Sequence, residues 1–199
     1  MPRTGLTSKE IKEKAINAAL ERMREVGFEK VRLTEIAKEL EVSHAALYSH
    51  FKDKSALLDA VSERWLLELD EKLKLICRKN TDPCQRIHAW ALEIHRMKVK
   101  KVKNDPELYK SFNLATEQLK PFVQDHLEIM HRQLSGLVEE AIAKSGLKNQ
   151  DTDKMTKIIV ESLVAFNHPT MVLQFVDENR EKMLYQVLDT ILKGFGLKI

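Results

Sequence analysis

The spacing of apolar side chains predicts helices along most of the chain. Apolar residues recur at helical intervals between residues 8 and 26, and Gly27 follows as the left-handed residue that ends this first helix. Further helices are predicted at 54–77, 83–102, 106–116, 121–144, 154–168 and 177–194. Asp82-Pro83 and Asp105-Pro106 each predict a cap followed by the first helical residue, and Pro121 begins another helix. A kink or break is predicted at His168-Pro169, and Asp177 is predicted to cap the last helix. The alternation of Val, Thr and Tyr that is typical of strands is absent. The pattern therefore predicts an all-α fold.

Residues 33–54 contain two short helical patterns on either side of a break. The first pattern has one apolar face, formed by Leu33, Ile36, Ala37 and Leu40. Ser43 is a favourable cap for the second helix, and Leu47 can anchor that helix to the core. One arc of the second helix carries small, polar and aromatic groups, namely His44, Ala45, Tyr48 and Ser49. This arrangement is typical of a helix-turn-helix, whose second helix enters the major groove of DNA.

The last two predicted helices are apolar over more than one face. Such a helix is either enclosed by its own chain or packed against a partner chain. A terminal pair of helices is seldom enclosed on all sides, so we favour a homodimer over full enclosure. The predicted interface residues are Ile159, Leu163, Leu184, Leu188 and Ile191.

Composition and charge are ordinary and leave the partner open. The 199 residues suffice for one or two compact domains, and 43% hydrophobic with 32% charged residues is usual for a globular protein. The net charge is +3, and residues 1–55 contain eleven Lys and Arg against nine Asp and Glu. A DNA-binding face would therefore depend on where charges lie rather than on bulk charge.

Several classes of protein and site are disfavoured by what the sequence lacks. Two isolated thiols, Cys77 and Cys84, suit a reducing cytosol, and together with His88 they lack the spacing of a metal site. No signal peptide is visible, and no apolar run approaches the roughly 20 residues that span a bilayer. Phosphate loops, nucleophile elbows and paired catalytic carboxylates are also absent. We expect a cytoplasmic protein without metal, cofactor, membrane partner or enzymatic activity.

The N-terminal 60 residues resemble the TetR/AcrR family of bacterial transcriptional regulators. The resemblance rests on Gly27-Phe28, on IAKELEVS at 36–43, on ALYSHF at 46–51, and on Lys54 with Leu57. It implies a helix-turn-helix DNA-binding domain at 1–53 and a helical regulatory and dimerisation domain at 54–199. It also implies a homodimer that binds a pseudo-palindromic operator in double-stranded DNA and releases it when a small molecule enters the C-terminal domain.

Carried over position by position, the resemblance assigns a set of DNA-binding residues. His44, Ala45 and Ala46 match positions that contact base edges, whereas Tyr48, His50 and Lys54 match positions near phosphates. The full predicted set is Arg32, Thr34, Ser43, His44, Ala45, Ala46, Tyr48, Ser49, His50 and Lys54. Tyr48 can instead be a packing residue, His50 a helix cap and Lys54 a solvated lysine.

Two residues depart from the family pattern. Glu41 stands where the family usually has glycine, which costs on the order of 1 kcal/mol if the turn there is left-handed. Arg32 replaces a Thr or Ser cap, so that a cap hydrogen bond typically worth ~1 kcal/mol is lost. Its guanidinium can contact a phosphate instead.

An effector pocket is expected to be apolar with a few polar anchors. Candidate lining residues are Trp65, Trp90, His95, Phe112, Asn113, Met130 and Phe166, each of which can equally be ordinary core. Their aromatic and thioether groups suit a small hydrophobic or aromatic effector.

The preferred function is a sequence-specific, ligand-responsive homodimeric repressor. The alternatives are an effector-independent or activating regulator, and a helical partner-binding protein with a vestigial DNA-reading head. An enzyme in the helical domain is disfavoured because no catalytic constellation is visible.

Overall fold

The computed structural model describes residues 5–198, and every regular element in that range is helical. In chain order these are α1 (Ser8–Val26), a 3₁₀ turn (Phe28–Lys30), α2 (Leu33–Glu39), α3 (His44–Tyr48), α4 (Lys54–Cys77), α5 (Pro83–Asn104), α6 (Pro106–Glu117), α7 (Pro121–Ser145), α8 (Thr152–Ser162), α9 (Val164–Asn167), α10 (Pro169–Gln174) and α11 (Glu181–Gly194). The predicted all-α fold is confirmed. None of these helices is both long and apolar enough to cross a membrane.

Three of the predicted helices begin at a proline. Pro83, Pro106 and Pro121 are the first residues of α5, α6 and α7, as predicted. Proline fits there because its ring fixes a helical φ and the N–H that it lacks would have no partner in the first turn. Asp82 caps α5 by accepting hydrogen bonds from the N–H groups of Cys84 and Gln85 at 2.8 and 3.1 Å.

The helix predicted at 154–168 is divided at Leu163 into α8 and α9, and α9 ends just before His168-Pro169. The break at His168-Pro169 was predicted, whereas the one at Leu163, between α8 and α9, was not. Asp177 was predicted to cap the last helix, but α11 begins at Glu181 after a longer loop, so this prediction is wrong.

Two polar side chains of α5 donate hydrogen bonds to backbone carbonyls at the end of α9. His95 donates from Nδ1 to the carbonyl of Phe166 at 2.8 Å. Lys98 donates from Nζ to the carbonyl of Asn167 at 2.6 Å. The last carbonyls of a helix have no partner within it, so these contacts allow a helix end to be buried.

The chain forms two compact units. The first contains residues up to Trp65 together with Asp105–Phe122, and the second contains Leu66–Asn104 and the residues from Val123 onward. Each unit is therefore discontinuous in sequence, and α4 contributes to both. The contiguous division at residues 53 and 54 stays a prediction.

Polar contacts and aromatic packing join α6 and its preceding residue Asp105 to α1, the 3₁₀ turn and α4 within the first unit. Arg24 donates to the buried carboxylate of Asp105 at 2.5 Å, and the carboxylate of Glu107 accepts from the N–H of Phe28 at 3.1 Å. The ring of Phe112 meets Trp65 edge-on, with centroids 5.0 Å apart. Asp105 thus pairs with an arginine rather than capping α6 with its side chain.

The core of the second unit contains most of the residues predicted for a dimer interface. Ile159, Leu184 and Leu188 are fully buried, and Leu163 is 2% exposed. Because the chain itself covers these side chains, they have no surface to offer a partner, and the prediction for these four is wrong. Ile191 is only partly buried.

Candidate functional site

The helix-turn-helix is anchored by a small apolar core within the first unit. Leu33, Ile36 and Ala37 bury one face of α2, as the spacing predicted. Leu47 is the single buried residue of α3 and is 0% exposed. With Leu47 turned inward, the opposite side of α3 faces solvent, which is what a recognition helix requires.

The turn between α2 and α3 closes through backbone hydrogen bonds. The N–H of Val42 donates to the carbonyl of Ala37 at 3.0 Å, and that of Glu41 donates to Lys38 at 3.1 Å. This pairing is typical of a helix end whose terminating residue is left-handed. Glu41 has a φ of 54°, so the turn is left-handed at this position, which is the condition under which replacing the family's glycine with glutamate was expected to cost stability.

The structure places the predicted base-contacting groups on the exposed side of α3. His44 and Ala45 are exposed, Ala46 is partly buried, and Tyr48 is 45% exposed. The rings of His44 and Tyr48 lie one turn apart with centroids at 6.3 Å. The exposure of Tyr48 argues against the alternative in which it only packs.

Two serines of this segment are engaged in local hydrogen bonds. Ser43 accepts from the N–H of Ala46 at 3.1 Å, which confirms it as the cap of α3. Ser49 donates to the carbonyl of Ala46 at 2.8 Å. The two hydroxyls therefore define the ends of the helix, and they reach DNA only through their remaining hydrogen-bonding capacity.

The predicted phosphate-contacting residues differ in how free their polar atoms are. Arg32 and Thr34 are exposed, and Arg32 makes no side-chain cap bond, as expected. Lys54 instead donates to the backbone carbonyl of Glu29. His50 has Nε2 3.5 Å from the hydroxyl of Ser8. Lys54 and His50 thus hold intramolecular partners in the absence of DNA.

Lys38 and Lys52 were missed by the sequence analysis. Both are exposed, Lys38 on α2 and Lys52 in the loop between α3 and α4. The family pattern drew attention to the recognition helix and not to these positions. Their place beside the helix-turn-helix makes them further candidates for phosphate contacts.

The predicted pocket residues fall into separate groups. Trp65, Phe112 and Asn113 belong to the first unit, and Asn113 bonds Glu117 on the surface of α6 at 2.9 Å. The remaining four, Trp90, His95, Met130 and Phe166, belong to the second unit. His95 and Phe166 contact each other there.

One surface cavity lies beside His95 in the second unit. It measures about 420 Å³ and is lined mainly by α5 and the loop before α11. Arg96 and Glu181 form an ion pair at its edge, with one N–O distance of 2.5 Å. Its lining is strongly charged, in contrast to the apolar pocket expected from the sequence.

A buried polar cluster in the second unit was also missed. Asp70 and His126 are both almost fully buried, and His126 Nδ1 lies 2.7 Å from the carboxylate of Asp70. Neither residue was among the candidate site residues predicted from the sequence. Asp70 is 56 residues away in sequence, so no local spacing indicated the pair.

Neither thiol has the environment of a reactive or metal-binding cysteine. Burial raises the pKa of Cys84 to about 11 and also raises the pKa of Cys77. Both are therefore protonated near neutral pH. Within residues 5–198, no group of three or more His, Cys, Asp or Glu side chains is arranged to hold a metal ion.

An anchored helix-turn-helix with an exposed polar recognition helix, followed by further helices, defines a class of helical DNA-binding regulators. Family models cover both parts of the chain. Residues 15–61 match the model for bacterial regulatory proteins of the tetR family. Residues 83–188 match the model for the tetracyclin repressor-like C-terminal domain.

Two relatives illustrate how similarity is distributed along the chain. Over 55 residues the chain is 46% identical to the class C tetracycline repressor of Escherichia coli, a match covering 28% of this chain and only 25% of the repressor. Over 186 residues it is 22% identical to the HTH-type transcriptional regulator BetI of Yersinia pestis, covering 80% of this chain and 92% of BetI. Similarity to the tetracycline repressor is thus confined to a short segment.

Solved structures share the fold across nearly the whole chain. A Pseudomonas aeruginosa PAO1 protein assigned as a transcriptional regulator has a TM-score of 0.71 at 15% identity, covering 98% of this chain and 94% of its own. FadR of Bacillus subtilis in complex with stearoyl-CoA has a TM-score of 0.66 at 18% identity, with 92% and 98% covered. RolR in complex with resorcinol has a TM-score of 0.63 at 17% identity, with 96% and 90% covered.

The chain belongs to the TetR family of bacterial transcriptional regulators. It is a DNA-binding regulator with an N-terminal helix-turn-helix and a C-terminal helical domain.

Proposed function

We propose that the protein is a ligand-responsive homodimeric repressor that binds a pseudo-palindromic operator through two copies of α3. The observation that supports this most is the orientation of α3, in which Leu47 is buried while His44, Ala45 and Tyr48 are exposed. A dimer would place the two recognition helices in successive major grooves.

In this proposal α3 reads bases and its neighbours hold phosphates. His44 hydrogen-bonds a base edge, and Ala45 contacts a thymine methyl group. Tyr48 contacts the backbone together with Arg32, Thr34 and the two exposed lysines, Lys38 and Lys52. Lys54 contributes less than the family pattern implies, because its ammonium group already donates to Glu29.

DNA binding is tested by selecting bound duplexes from random sequence and measuring affinity by fluorescence anisotropy. His44→Ala should alter preference at one operator position by about 1–3 kcal/mol. Lys52→Gln should weaken binding to all sequences and lower the salt slope by about one. Lys148→Gln, at an exposed position of the second unit, is the matched control for charge. Failure to bind any duplex at low salt would overturn the proposal and favour a partner-binding role.

The dimer interface is proposed on the outer flank of α11 rather than on its buried face. Met183, Val187 and Ile191 are spaced four residues apart and form one stripe of that helix. Met183 is 55% exposed, and the other two are partly buried. Apolar side chains left on the surface in one stripe are suited to contact a second copy.

The interface is tested by light scattering coupled to size-exclusion chromatography. Met183→Glu should produce a monomer, because it places a charge in an apolar contact. Lys182→Glu, at the neighbouring exposed position, should leave the dimer intact. A Met183→Glu protein that remains dimeric would place the interface elsewhere.

The effector is proposed to be a small molecule bound by the second unit. Structural relatives bind stearoyl-CoA and resorcinol, which supports a ligand-binding role for this domain without indicating its ligand. Operator release by molecules that co-purify with the protein, identified by mass spectrometry, tests this role. An effector-independent regulator would instead keep its operator in the presence of every compound tested, whereas an activator is distinguished from a repressor by measuring transcription from the bound operator.

A further inference from the structure

A cavity of about 340 Å³ lies within the first unit, between the 3₁₀ turn, α4 and α6. Phe28, Leu58, Leu114 and Ala115 form its apolar walls, and Lys54 also lines it. Leu58 and Ala115 are almost fully buried, whereas Leu114 is 43% exposed. The cavity therefore combines buried apolar walls with access from solvent.

Polar contacts near both ends of α6 hold this cavity open. Near the first end, the carboxylate of Glu107 accepts from the N–H of Phe28 at 3.1 Å. Beyond the other end, Lys120 donates to the hydroxyl of Ser55 at 3.0 Å and to the carboxylate of Asp59 at 3.1 Å. These contacts fix the distance of α6 from the 3₁₀ turn and from α4, so the apolar walls resist closing on each other. Unfilled apolar space is unfavourable, and a molecule that fills it gains packing contacts.

The charges around the cavity determine which ligand it favours. Lys54 donates to the backbone carbonyl of Glu29, a neutral partner, and forms no ion pair within residues 5–198. An ammonium group has three donors, so two remain for a ligand. The carboxylate of Asp59 is already paired with Lys120, and Glu29 is exposed to water, which screens its charge. A ligand that carries a carboxylate can therefore pair with Lys54.

We propose that this cavity binds a compact amphipathic carboxylate, whose apolar body lies between α4 and α6 and whose carboxylate pairs with Lys54. The cavity is at the small end of the range of ligand pockets, roughly 300–1,000 Å³, so the ligand is compact. Every lining residue belongs to the first unit, and the site is therefore separate from any pocket inside the second unit.

Binding at this site competes with DNA. The family resemblance places Lys54 near a phosphate, and a carboxylate on its ammonium group occupies the donors that the phosphate would use. The ligand also brings negative charge toward the DNA backbone, which weakens association. This consequence rests on the function proposed above, whereas binding of the ligand itself does not.

The cavity beside His95 provides a comparison within the same chain. It is larger, at about 420 Å³, but its lining is strongly charged and includes the ion pair of Arg96 with Glu181. Covering charged groups with an apolar body costs their hydration. The character of the walls, rather than volume, therefore favours the cavity of the first unit for an amphipathic ligand.

Binding is measured by isothermal titration calorimetry on the full chain without DNA. The probes are hydrocinnamate, its neutral amide and the cationic phenylpropylamine, which share an aromatic body and differ in charge. Hydrocinnamate should bind roughly three- to tenfold more tightly than its amide, the gain from one charged hydrogen bond at a partly exposed site. This advantage should shrink as salt is added, and the amine should bind most weakly.

Variants test whether Lys54 and the cavity are responsible. Lys54→Met retains an apolar stem and removes the charge, so it should bind hydrocinnamate and its amide equally. Lys30→Met is the matched control and should keep the preference of the parent, because Lys30 is exposed on the same 3₁₀ turn and lies outside the lining. Ala115→Phe fills the cavity with a side chain and should abolish binding of all three probes.

Nuclear Overhauser contacts in the parent protein locate the ligand without any substitution. The ring protons of bound hydrocinnamate should contact the methyl groups of Leu58, Leu114 and Ala115. Contacts confined to methyl groups of the second unit would overturn the proposal. So would equal binding of hydrocinnamate and its amide by the parent, or no binding of either.

Operator binding is measured separately, by fluorescence anisotropy on the same preparation. Saturating hydrocinnamate should weaken operator binding by the parent more than the saturating amide does, and Lys54→Met should lose this difference. Equal operator affinity with either ligand would overturn the competition. Ligand binding without operator binding leaves the cavity site standing and removes the repressor, and operator binding without ligand binding does the reverse.

Discussion

Replacing Glu41 with glycine is expected to stabilise the protein by about 0.5–1 kcal/mol. At a φ of 54°, the Cβ of Glu41 is crowded by the backbone, and this conformation costs an L-residue about 1–2 kcal/mol. Glycine removes that strain, but its more flexible unfolded chain offsets about 0.4–1 kcal/mol of the gain. The hydrogen bonds that close the turn, at 3.0 and 3.1 Å, use backbone atoms alone and remain.

The gain is measured by urea unfolding at a fixed protein concentration, which keeps any contribution of dimerisation constant. It corresponds to a rise in Tm of roughly 1–4 °C for a chain of this size. Lys38→Gly is the matched control, because Lys38 lies within α2 at a helical φ, where glycine should destabilise by about 0.5–1 kcal/mol. Leu119→Gly, at a φ of 48° after α6, should stabilise like Glu41→Gly.

Two results would refute this reasoning. One is a loss of stability in Glu41→Gly similar to that in Lys38→Gly, which would mean that the left-handed turn carries no strain. The other is an equal gain in Glu41→Gln, which retains the backbone conformation and removes only the charge. In that case, repulsion rather than φ would be the cause.

Three further predictions concern buried groups. Leu47→Ala should destabilise the protein by about 2–5 kcal/mol in urea unfolding, because the side chain is 0% exposed. Burial lowers the pKa of Lys98 to about 8. Above that pH the unfolded state binds more protons than the folded state, so the folded state becomes more favourable as the pH rises. The free energy of unfolding of the parent, relative to that of Lys98→Met, should therefore rise by up to about 1.4 kcal/mol per pH unit between pH 8 and 10. Cys84, whose pKa is raised to about 11, should be alkylated by iodoacetamide at pH 8 on the order of 100-fold more slowly than a free thiol, as followed by mass spectrometry. A stability difference between the parent and Lys98→Met that stays constant from pH 8 to 10 would contradict the Lys98 prediction. Rapid alkylation of Cys84 in the folded chain would contradict the Cys84 prediction.

Features that depend on neighbours in sequence were predictable. Ser43 and Leu47 were predicted from spacing and residue type, and each is where it was expected. Caps and turns are decided by backbone atoms within a few residues, so local sequence suffices to specify them. The same holds for Pro83 and the other prolines that begin helices.

Features that depend on distant residues were not predictable. Asp105 was expected to cap α6, but its carboxylate pairs with Arg24, which is 81 residues away. Lys54 was expected to be free for a phosphate and instead donates to Glu29. In both cases, the sequence identified a polar side chain that could form a hydrogen bond. It did not indicate which distant residue the fold would place beside that side chain.

The sequence alone determined the helical fold, the helix-turn-helix and the exposed side of α3, because helical periodicity and capping are local. Only the tertiary structure decided what covers each apolar face and which polar groups meet inside. Periodicity identified Leu184 and Leu188 as an apolar seam, but the chain's own core buries them. The pairing of Asp70 with His126 likewise arises from the packing of α4 against α7, which no spacing along the chain encodes.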